Sequence, residues 1–517
     1  MKDDTPQTGV GITFAIVFLA ACASAASVSW PFDAFFQTGA PLWWLQIGAQ
    51  ATLAFVVAKC RNQQQAAVVG ASFATVWLSA TFWWLFVAMH TYAGLPAIVA
   101  ALAVALLAGA LGLYYAVAMG MYWHVRQRRP GLACIVFAAM WTVAELARGT
   151  WLTGFGWGAT GYAHLTGPLA FYIPWLGMYG VGVLAAWIAA VVGGGLRGGV
   201  RVQWQPVAVM VVLALGTWAP PPLHNWTQPA GVLTVSLLQG NIPQDEKFEA
   251  GTGVRKALQW YAESMRSAKG ALVVAPETAI PLLPQQLPEG YWGALQNLYA
   301  SRSQAALLGI PLGSYQKGYT NSVVGLHPGQ ADMWRYNKHH LVPFGEFIPP
   351  FFKWFTRMMN IPLGDFNRGG LGQASFEWKG QRIAPNICYE DLFGEELGAR
   401  FVDPARAPTL FANVSNLGWF GDSIAIDQHL NISRMRALEF QRPFVRATNT
   451  GSTAIIDHQG HVTAALPRLA EGVLDGEVQG RSGLTPYAWW VSRFGLWPLW
   501  IAALGVIAFV WRTKPRN

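Results

Sequence analysis

The residues best suited to chemistry are an acid, a base and a thiol, each within two residues of the end of a short β-like apolar run: Glu277, Lys338 and Cys388. Cys388 is the only one of four cysteines that lies outside the long apolar stretches, so it has no disulfide partner in its own region. A thiol attacks as its thiolate, which is scarce at neutral pH unless a base or cation assists. We therefore interpret Cys388 as a nucleophile, Glu277 as its general base and Lys338 as a stabiliser of thiolate and oxyanion. A buried structural cysteine is the alternative.

The composition is that of a membrane protein with a polar domain inserted into it. The chain is 53% hydrophobic and only 12% charged, about half the charged fraction of a soluble protein. Residues 220–493 hold 23 basic and 22 acidic residues, and the remainder holds 12 basic and 4 acidic residues. The excess positive charge therefore belongs to the hydrophobic part, so we expect no nucleic-acid partner.

Eight apolar stretches are long enough to cross a bilayer, which takes about 20 residues per helix. They lie near residues 10–28, 40–59, 66–89, 93–122, 131–147, 168–194, 203–219 and 494–511. Small residues at 21–25 resemble a signal-peptide cleavage site, but the seven spans that follow favour an uncleaved first helix. We therefore predict a seven-helix membrane domain over 1–219, a polar domain over 220–493, and an eighth helix with a tail over 494–517.

Basic residues predict the orientation of these helices. One side of the spans collects Lys2, Lys59, Arg61, Arg126, Arg128, Arg129, Arg197, Arg201, Arg512, Lys514 and Arg516. The short loops on the other side contain only Arg148. By the positive-inside rule the first side is cytoplasmic. Both termini should then be cytoplasmic, and the polar domain should be periplasmic.

The polar domain alternates β-like runs with helical patterns, which favours an α/β layered fold with covered sheets. We predict helices near 251–268, 291–302, 394–402 and 425–441. The residues Asp457-His458-Gln459-Gly460 predict a hairpin turn. Strands are predicted at 232–238, 272–275, 305–310, 322–326, 333–336, 383–387, 409–413, 445–448 and 453–457.

The strings around the three chemical residues resemble those of the nitrilase, or carbon–nitrogen hydrolase, superfamily, whose catalytic triad is Glu, Lys and Cys in that order. The matching strings are Ala275-Pro276-Glu277, Tyr336-Asn337-Lys338, Leu341-Val342-Pro343-Phe344-Gly345-Glu346 and Ile387-Cys388-Tyr389-Glu390. The resemblance implies an αββα sandwich. It also implies that Glu346 is an additional glutamate that orients Lys338, and that Tyr389 and Glu390 support the nucleophile. A solvated turn for Glu346 and a simple arginine pair for Glu390 are the alternatives.

Eight spans around such a domain narrow the resemblance to membrane-bound members of the superfamily that N-acylate bacterial lipoproteins. That implies a multi-pass enzyme of the inner membrane, working without a cofactor and as a monomer. Its donor would be a membrane phospholipid, and its acceptor the α-amino group of the diacylglyceryl-cysteine of an apolipoprotein. The implied reaction is ping-pong through a thioester on Cys388.

Other polar and aromatic residues are weaker candidates. Asn241 and Asn416 follow predicted strands and could support the site, with Trp419 and Phe420 nearby; ordinary turn chemistry is the alternative. Arginines in a late helix and strand could bind a phosphate headgroup or form surface ion pairs: Arg434, Arg436, Arg442 and Arg446.

Two aromatic stretches could contact lipid. Residues 347–366, with Phe351 and Trp354, are too broken to span a membrane and predict a mobile flap; a buried loop is the alternative. Residues 151–162, with Trp157, could line a lipid entry or belong to an ordinary aromatic belt. Glu145 and Arg148 predict an intramembrane pair.

We expect no metal site. His339 and His340 are adjacent at a strand end, so their side chains should diverge, and no His-Glu-x-x-His or paired-cysteine spacing occurs. Three rival functions remain open: a membrane-tethered amidase that uses water as acceptor, a non-enzymatic receptor or transporter, and a fusion with a glycosyltransferase. The transporter would need intramembrane charges, which are few, and the fusion would need a further domain.

Overall fold

The computed structural model describes residues 10–126, 128, 130–195, 204–218, 225–249, 251–314, 316–329, 333–348 and 366–512. By internal contacts the chain divides into two compact units. The first, here the helical unit, comprises Met1–Trp83, Ile98–Pro220 and Leu496–Asn517. The second, here the sheet unit, comprises Trp84–Ala97 and Pro221–Gly495.

Helices precede the first strand throughout the described chain. They are α1 (Val10–Val28), α2 (Trp43–Lys59), α3 (Gln63–Thr81), α4 (Leu85–Val87), α5 (Ala97–Val125), α6 (Ala133–Thr150), α7 (Ile173–Gly195) and α8 (Trp204–Trp218). The short α4 belongs to the sheet unit, where it leads into a π-helical turn over Ala88–Tyr92. Each of the first seven predicted apolar stretches overlaps one of the other helices.

The number of helices able to cross a membrane is smaller than the sequence predicts. Within the described residues four helical segments are long and apolar enough: Gly11–Val28, Ala97–Val125, Pro130–Thr153 and Pro168–Gly194. The number rises to six if each of two bent helix pairs forms one span. Helices α2 and α8, with 17 and 15 residues, fall short of the roughly 20 residues that a span requires. Several apolar helices are therefore present, and the count of eight spans stays a prediction.

Two buried charged residues of α6 hold the irregular segment that follows it. The Glu145 carboxylate accepts hydrogen bonds from the backbone N–H of Thr160 (2.8 Å) and from its hydroxyl. Arg148 donates to the carbonyl oxygens of Phe155 (2.6 Å) and Trp157 (2.8 Å). Because a bare backbone polar group is costly in an apolar surrounding, these bonds stabilise the turn after α6. Glu145 and Arg148, which the sequence predicted to pair with each other, thus each bond the backbone of this segment, and their mutual pairing stays a prediction.

The sheet unit carries two six-stranded sheets. Its remaining helices are α9 (Gly253–Ser267), α10 (Tyr291–Ala300), α11 (Gly394–Gly398), α12 (Ala425–Phe440) and α13 (Pro486–Phe494), and α14 (Trp497–Arg512) returns to the helical unit. The strands are β1 (Thr227–Gln239), β2 (Leu272–Val274), β3 (Ala305–Ser314), β4 (Gly318–Leu326), β5 (Trp334–Asn337), β6 (Phe376–Trp378), β7 (Gln381–Ile387), β8 (Leu410–Ser415), β9 (Phe444–Thr448), β10 (Ala454–Ile456), β11 (Val462–Ala465) and β12 (Gly472–Gly483).

The two sheets stack face to face with helices on both outer faces, which is the αββα arrangement that the resemblance implies. The strand orders are β12-β1-β2-β3-β4-β5 and β11-β10-β9-β8-β7-β6. Alternation along a strand divides its side chains between the two faces. In β2, Leu272 and Val274 enter the core between the sheets, whereas Val273 packs towards α9 and α10. Phe411 on β8 likewise packs against the helical layer, which includes Phe440 of α12.

All nine predicted strands and four predicted helices of this unit are present, with small shifts of their ends. The hairpin turn at 457–460 is also confirmed, since β10 and β11 pair antiparallel across it. Three strands were missed: β6, β11 and β12. Strands β11 and β12 carry many exposed side chains, so their sequences lack the apolar runs that marked the other strands.

Candidate active site

The three chemical residues lie at strand ends of the sheet unit. Glu277 follows parallel strand β2, Cys388 directly follows parallel strand β7, and Lys338 directly follows β5. β2 and β5 belong to one sheet and β7 to the other, and hydrogen bonds join the strand ends of the two sheets here, from the Asn416 N–H to Glu277 and from the His339 N–H to Glu390. Lys338 Nζ lies 3.3 Å from Glu277 Oε1. The structure therefore brings Glu277 and Lys338 into contact, although 61 residues separate them in the sequence.

Lys338 is held between two carboxylates. Its Nζ lies 2.9 Å from Glu346 Oε2 as well as 3.3 Å from Glu277 Oε1, and the residue is 1% exposed. Asn321 on β4 donates from Nδ2 to both carboxylates, at 2.7 Å each. Burial alone would lower the pKa of Lys338, but the charges of Glu346 and Glu277 outweigh it and raise the pKa above the usual lysine value. Lys338 is therefore a permanent cation at this site.

Both oxygens of the Glu277 carboxylate accept hydrogen bonds. Its Oε1 faces Lys338 and Asn321, and its Oε2 accepts the backbone N–H of Asn416 at 3.0 Å. The side chain of Asn416 donates to Gln244 Oε1 at 2.7 Å and accepts from Asn449. Thus Asn416 fixes the base through its backbone while its side chain ties the ends of β1, β8 and β9 together.

Cys388 begins a 3₁₀ turn over Cys388–Leu392 with a positive φ of 50°. A non-glycine residue in this region is strained and is often found where function requires it. Burial, followed by the charge of Glu277, raises the pKa of the Cys388 thiol, and Lys338 opposes this. The resting residue is therefore a thiol, and it needs a base at the moment of attack.

Glu390 joins the loops that carry the nucleophile and the lysine. Its carboxylate accepts hydrogen bonds from the backbone N–H groups of Ile387 (2.7 Å) and His339 (2.6 Å) and from the Tyr336 hydroxyl (2.8 Å). Ile387 precedes the nucleophile and His339 follows the lysine. Glu390 is 2% exposed. The alternative of a simple arginine pair is wrong, because backbone amides and a phenol supply these bonds.

A second network of buried polar side chains contacts the turn that begins at Cys388. Asp391 lies 2.9 Å from His429 Nε2 and 3.3 Å from Arg446 Nη1, and it accepts the Ser433 hydroxyl. His429 Nε2 also lies 3.2 Å from the carbonyl oxygen of Cys388 itself. Asp391 and Arg446 are both 0% exposed. This network fixes the backbone of the nucleophile.

The headgroup interpretation of the four arginines is wrong for at least three of them, because they are enclosed in the protein. Arg446 belongs to the network below the nucleophile, Arg436 pairs with Glu439 at 3.1 Å, and Arg442 donates to the carbonyl oxygens of Pro408 and Gly483. All three are 0–1% exposed, which also excludes the surface ion pairs. Arg434 donates to the Gly460 carbonyl.

The remaining predicted residues take different places. Tyr389 is 6% exposed and packs edge-on against Phe393 (5.2 Å). Asn241 donates to the Leu469 carbonyl at 2.9 Å. Its side chain therefore bonds the loop that contains Leu469 and not the carboxylate of Glu277. His339 and His340 diverge as expected, towards Gly369 and Glu396.

Trp419 and Phe420 form part of an aromatic cluster with the segment Trp84–Ala97. Trp84 packs against the Phe420 ring at 4.4 Å and donates to Gln428, and Tyr92 packs against Trp419 at 6.0 Å. Trp419 remains 40% exposed. Within the helical unit Trp157 is 3% exposed, so it is enclosed in the protein and has little surface for the predicted lipid contact. Phe351 and Trp354, with most of the predicted flap, lie outside the described residues.

Asn321 and Lys247 were missed by the sequence reasoning. Asn321 bridges both carboxylates because β4 pairs with β5, which places its carbonyl against the Lys338 N–H at 2.8 Å. Lys247 Nζ donates to the backbone carbonyl of Glu277 at 3.2 Å. No local motif marks Asn321; the only signal for Lys247 was its place in the polar loop after β1.

Chemically, the site can transfer an acyl group. It contains a thiol, a carboxylate able to accept the proton of that thiol, and a fixed cation able to stabilise an oxyanion. The lysine of this site is paired with both of its carboxylates.

Comparisons with known proteins match both the N-terminal helical part and the polar part of the chain. A family profile described as Carbon-nitrogen hydrolase matches residues 234–487, and one described as Apolipoprotein N-acyltransferase N-terminal domain matches residues 23–191. The Apolipoprotein N-acyltransferase of Verminephrobacter eiseniae (strain EF01-2) is 54% identical over 505 residues, covering 92% of each chain. A relative of the same name from Ralstonia nicotianae is 46% identical, covering 86% of this chain and 85% of its own. One from Bordetella bronchiseptica is 40% identical, covering 92% and 93%.

Proposed function

This chain belongs to the apolipoprotein N-acyltransferase family, and from that premise we propose that it moves a fatty acyl chain from a membrane phospholipid to the N-terminal amine of apolipoproteins through a thioester on Cys388. The observation that carries the proposal is the pairing of Lys338 with Glu277 and Glu346, at the strand edge where Cys388 begins its strained turn. Together the thiol, the base and the cation supply a nucleophile, its activation and the oxyanion stabilisation that acyl transfer needs.

In the first half-reaction Glu277 takes the proton of the Cys388 thiol, and the sulfur attacks an ester carbonyl of the phospholipid. Lys338, with a backbone amide, stabilises the tetrahedral oxyanion. The oxyanion collapses, the carbon–oxygen ester bond breaks, and the lysophospholipid leaves with the proton held by Glu277. The acyl group remains as a thioester.

In the second half-reaction the free α-amino group of the diacylglyceryl-cysteine attacks the thioester. Glu277 accepts a proton from the amine and returns one to the departing sulfur, so the thiol is regenerated. Lys338 again stabilises the oxyanion. Glu346 serves by keeping Lys338 in place, and Glu390 serves by joining the loops of Lys338 and Cys388.

We place the reaction at the outer face of the inner membrane. Eight spans would put both termini in the cytoplasm and the domain over 220–493 in the periplasm. Both substrates are anchored in the bilayer, so a site held next to it shortens the search for each. The enzyme would act as a monomer, with Trp419 and Phe420 near the acyl chains.

The test is intact-mass analysis of the full-length protein after incubation with phospholipid. We expect the mass of one acyl group on the wild type and none on Cys388→Ala. A diacylated lipopeptide with a free N-terminal amine should remove the adduct, whereas the same lipopeptide with an acetylated amine should leave it. A wild type without an adduct would refute the lipid donor and favour a tethered amidase.

A further inference from the structure

A second lysine lies beside the proposed triad. Lys247 sits in the loop after β1, where its neighbours Asp245, Glu246 and Phe248 are exposed while Lys247 itself is 1% exposed. Its Nζ donates to the backbone carbonyl of Glu277 at 3.2 Å. The Lys247 side chain therefore points into the protein next to Glu277, whereas its neighbours in the turn are exposed.

This placement is costly for an ammonium group. A buried charge is unfavourable unless an opposite charge or several hydrogen bonds compensate it, and the hydrogen bond of Lys247 goes to a neutral carbonyl. Burial lowers the pKa of Lys247 to about 8, while the charges of Glu277 and Cys388 oppose the shift. A lysine kept in such a place is more suited to tuning a reaction than to stabilising a fold.

Counting the charges shows what Lys247 adds. Lys338 balances one of the two carboxylates, Glu277 or Glu346, so these three groups together carry one negative charge. With Lys247 protonated, these four groups together carry no net charge. Transfer of the thiol proton to Glu277 moves a negative charge onto sulfur and then onto the oxyanion. The net charge does not change, and a second cation beside Glu277 and Cys388 lowers the cost of holding this negative charge as it moves.

Resting on the proposed function, we propose that Lys247 is a positioning residue of the acyl-transfer site, which holds the Glu277 turn and supplies the second positive charge that favours thiolate and oxyanion. The charged groups around it are the carboxylate of Glu277 after β2, with Lys338 and Glu346 bonded to it, and Cys388 after β7. On its own loop Asp245, Glu246 and Glu249 are exposed.

The experiment compares full-length wild type, Lys247→Met and Lys247→Arg in detergent between pH 6 and 10, with Lys256→Met on the exposed side of α9 as the matched control. Two rates are measured: alkylation of Cys388 by iodoacetamide, and acyl-enzyme formation from phospholipid. Alkylation requires no lipid donor, so it reports on Lys247 even if the donor is wrong.

Lys247→Met should alkylate with its midpoint at higher pH and acylate at least tenfold more slowly, with KM for the phospholipid unchanged. The wild-type acylation rate should fall above pH 8 as Lys247 loses its proton. Lys247→Arg, which stays charged, should keep acylating there. If Lys247→Met does not fold, the pH profile of Lys247→Arg still decides.

The inference is overturned if Lys247→Met alkylates and acylates like the wild type, or if Lys247→Arg shows the same alkaline fall. A normal dependence of alkylation on Lys247 without any acylation from phospholipid would refute the proposed donor and leave this inference standing.

Discussion

Lys338 and Glu346 form a buried ion pair, with Nζ 2.9 Å from Oε2 and the lysine side chain 1% exposed. The glutamate is itself fixed, because its Oε2 accepts the Val342 N–H at 2.8 Å and its Oε1 accepts Asn321. A Gly-Glu turn that could have been solvated is therefore a rigid part of the site. Glu346 keeps the oxyanion stabiliser both charged and in place.

Glu346→Gln should reduce acyl-enzyme formation about 10²-fold, comparable to the loss of one oxyanion donor. Glu346 raises the pKa of Lys338, so in the variant that pKa should fall. In a Lys247→Arg background, whose alkaline limb Lys247 does not set, activity should therefore decline at lower pH with Glu346→Gln than with Glu346 present. The pH dependence of thioester formation by mass spectrometry checks this. Glu377→Gln, on the exposed side of β6, is the control, and an unshifted alkaline limb would contradict the role of Glu346.

Glu277→Gln should separate thiol reactivity from turnover. The charge of Glu277 raises the pKa of Cys388, so a neutral amide should move the midpoint of iodoacetamide alkylation to lower pH. Acyl transfer should nevertheless fall by about 10²–10⁴-fold, because the general base is gone. The exposed Glu289→Gln serves as control. Alkylation moving to higher pH would contradict the effect of the Glu277 charge on the thiol pKa.

Glu390→Gln should weaken both the fold and the reaction. The amide would turn its own donors towards N–H groups that Glu390 now accepts, and each unsatisfied buried donor costs about 1–3 kcal/mol. Tyr336→Phe removes one of the donors to Glu390 and should cost about 1 kcal/mol. Thermal unfolding in detergent and the thioester rate should rank wild type, Tyr336→Phe and Glu390→Gln in that order.

Asp391→Asn and Arg446→Met should each destabilise the protein by about 3–5 kcal/mol, because each leaves a buried charge without its partner. The double variant should lose less than the sum of the two, since it removes both charges of the pair at 3.3 Å. Unfolding by urea measures the cycle. Strict additivity would mean that the two residues do not act together.

Arg446→Met also tests whether Arg446 is enclosed in the protein and does not bind a phosphate headgroup. Because Arg446 is 0% exposed, Arg446→Met should not change the preference between anionic and zwitterionic phospholipid donors. A selective loss of activity with anionic donors would contradict the burial of Arg446 in the network that contacts the Cys388 turn.

The sequence by itself determined which residues could react and much of the secondary structure. Glu277, Lys338 and Cys388 stand out because each ends an apolar run, and such runs fold locally into strands. The apolar pattern also predicted an α/β layered fold with covered sheets, whereas the αββα order of the layers was implied by the resemblance to the nitrilase superfamily. The strands it missed, such as β12, lack that apolar signal.

Only the tertiary structure decided what surrounds these residues, because strand pairing and burial join distant parts of the chain. Asn321 reaches both carboxylates through the register of β4 on β5, and Lys247 reaches Glu277 by turning inward from a polar loop. Arg446 looked like a ligand for phosphate until burial placed it beside Asp391. A charged side chain has the same sequence signature on a surface and in a core, and its neighbours decide which of the two it serves.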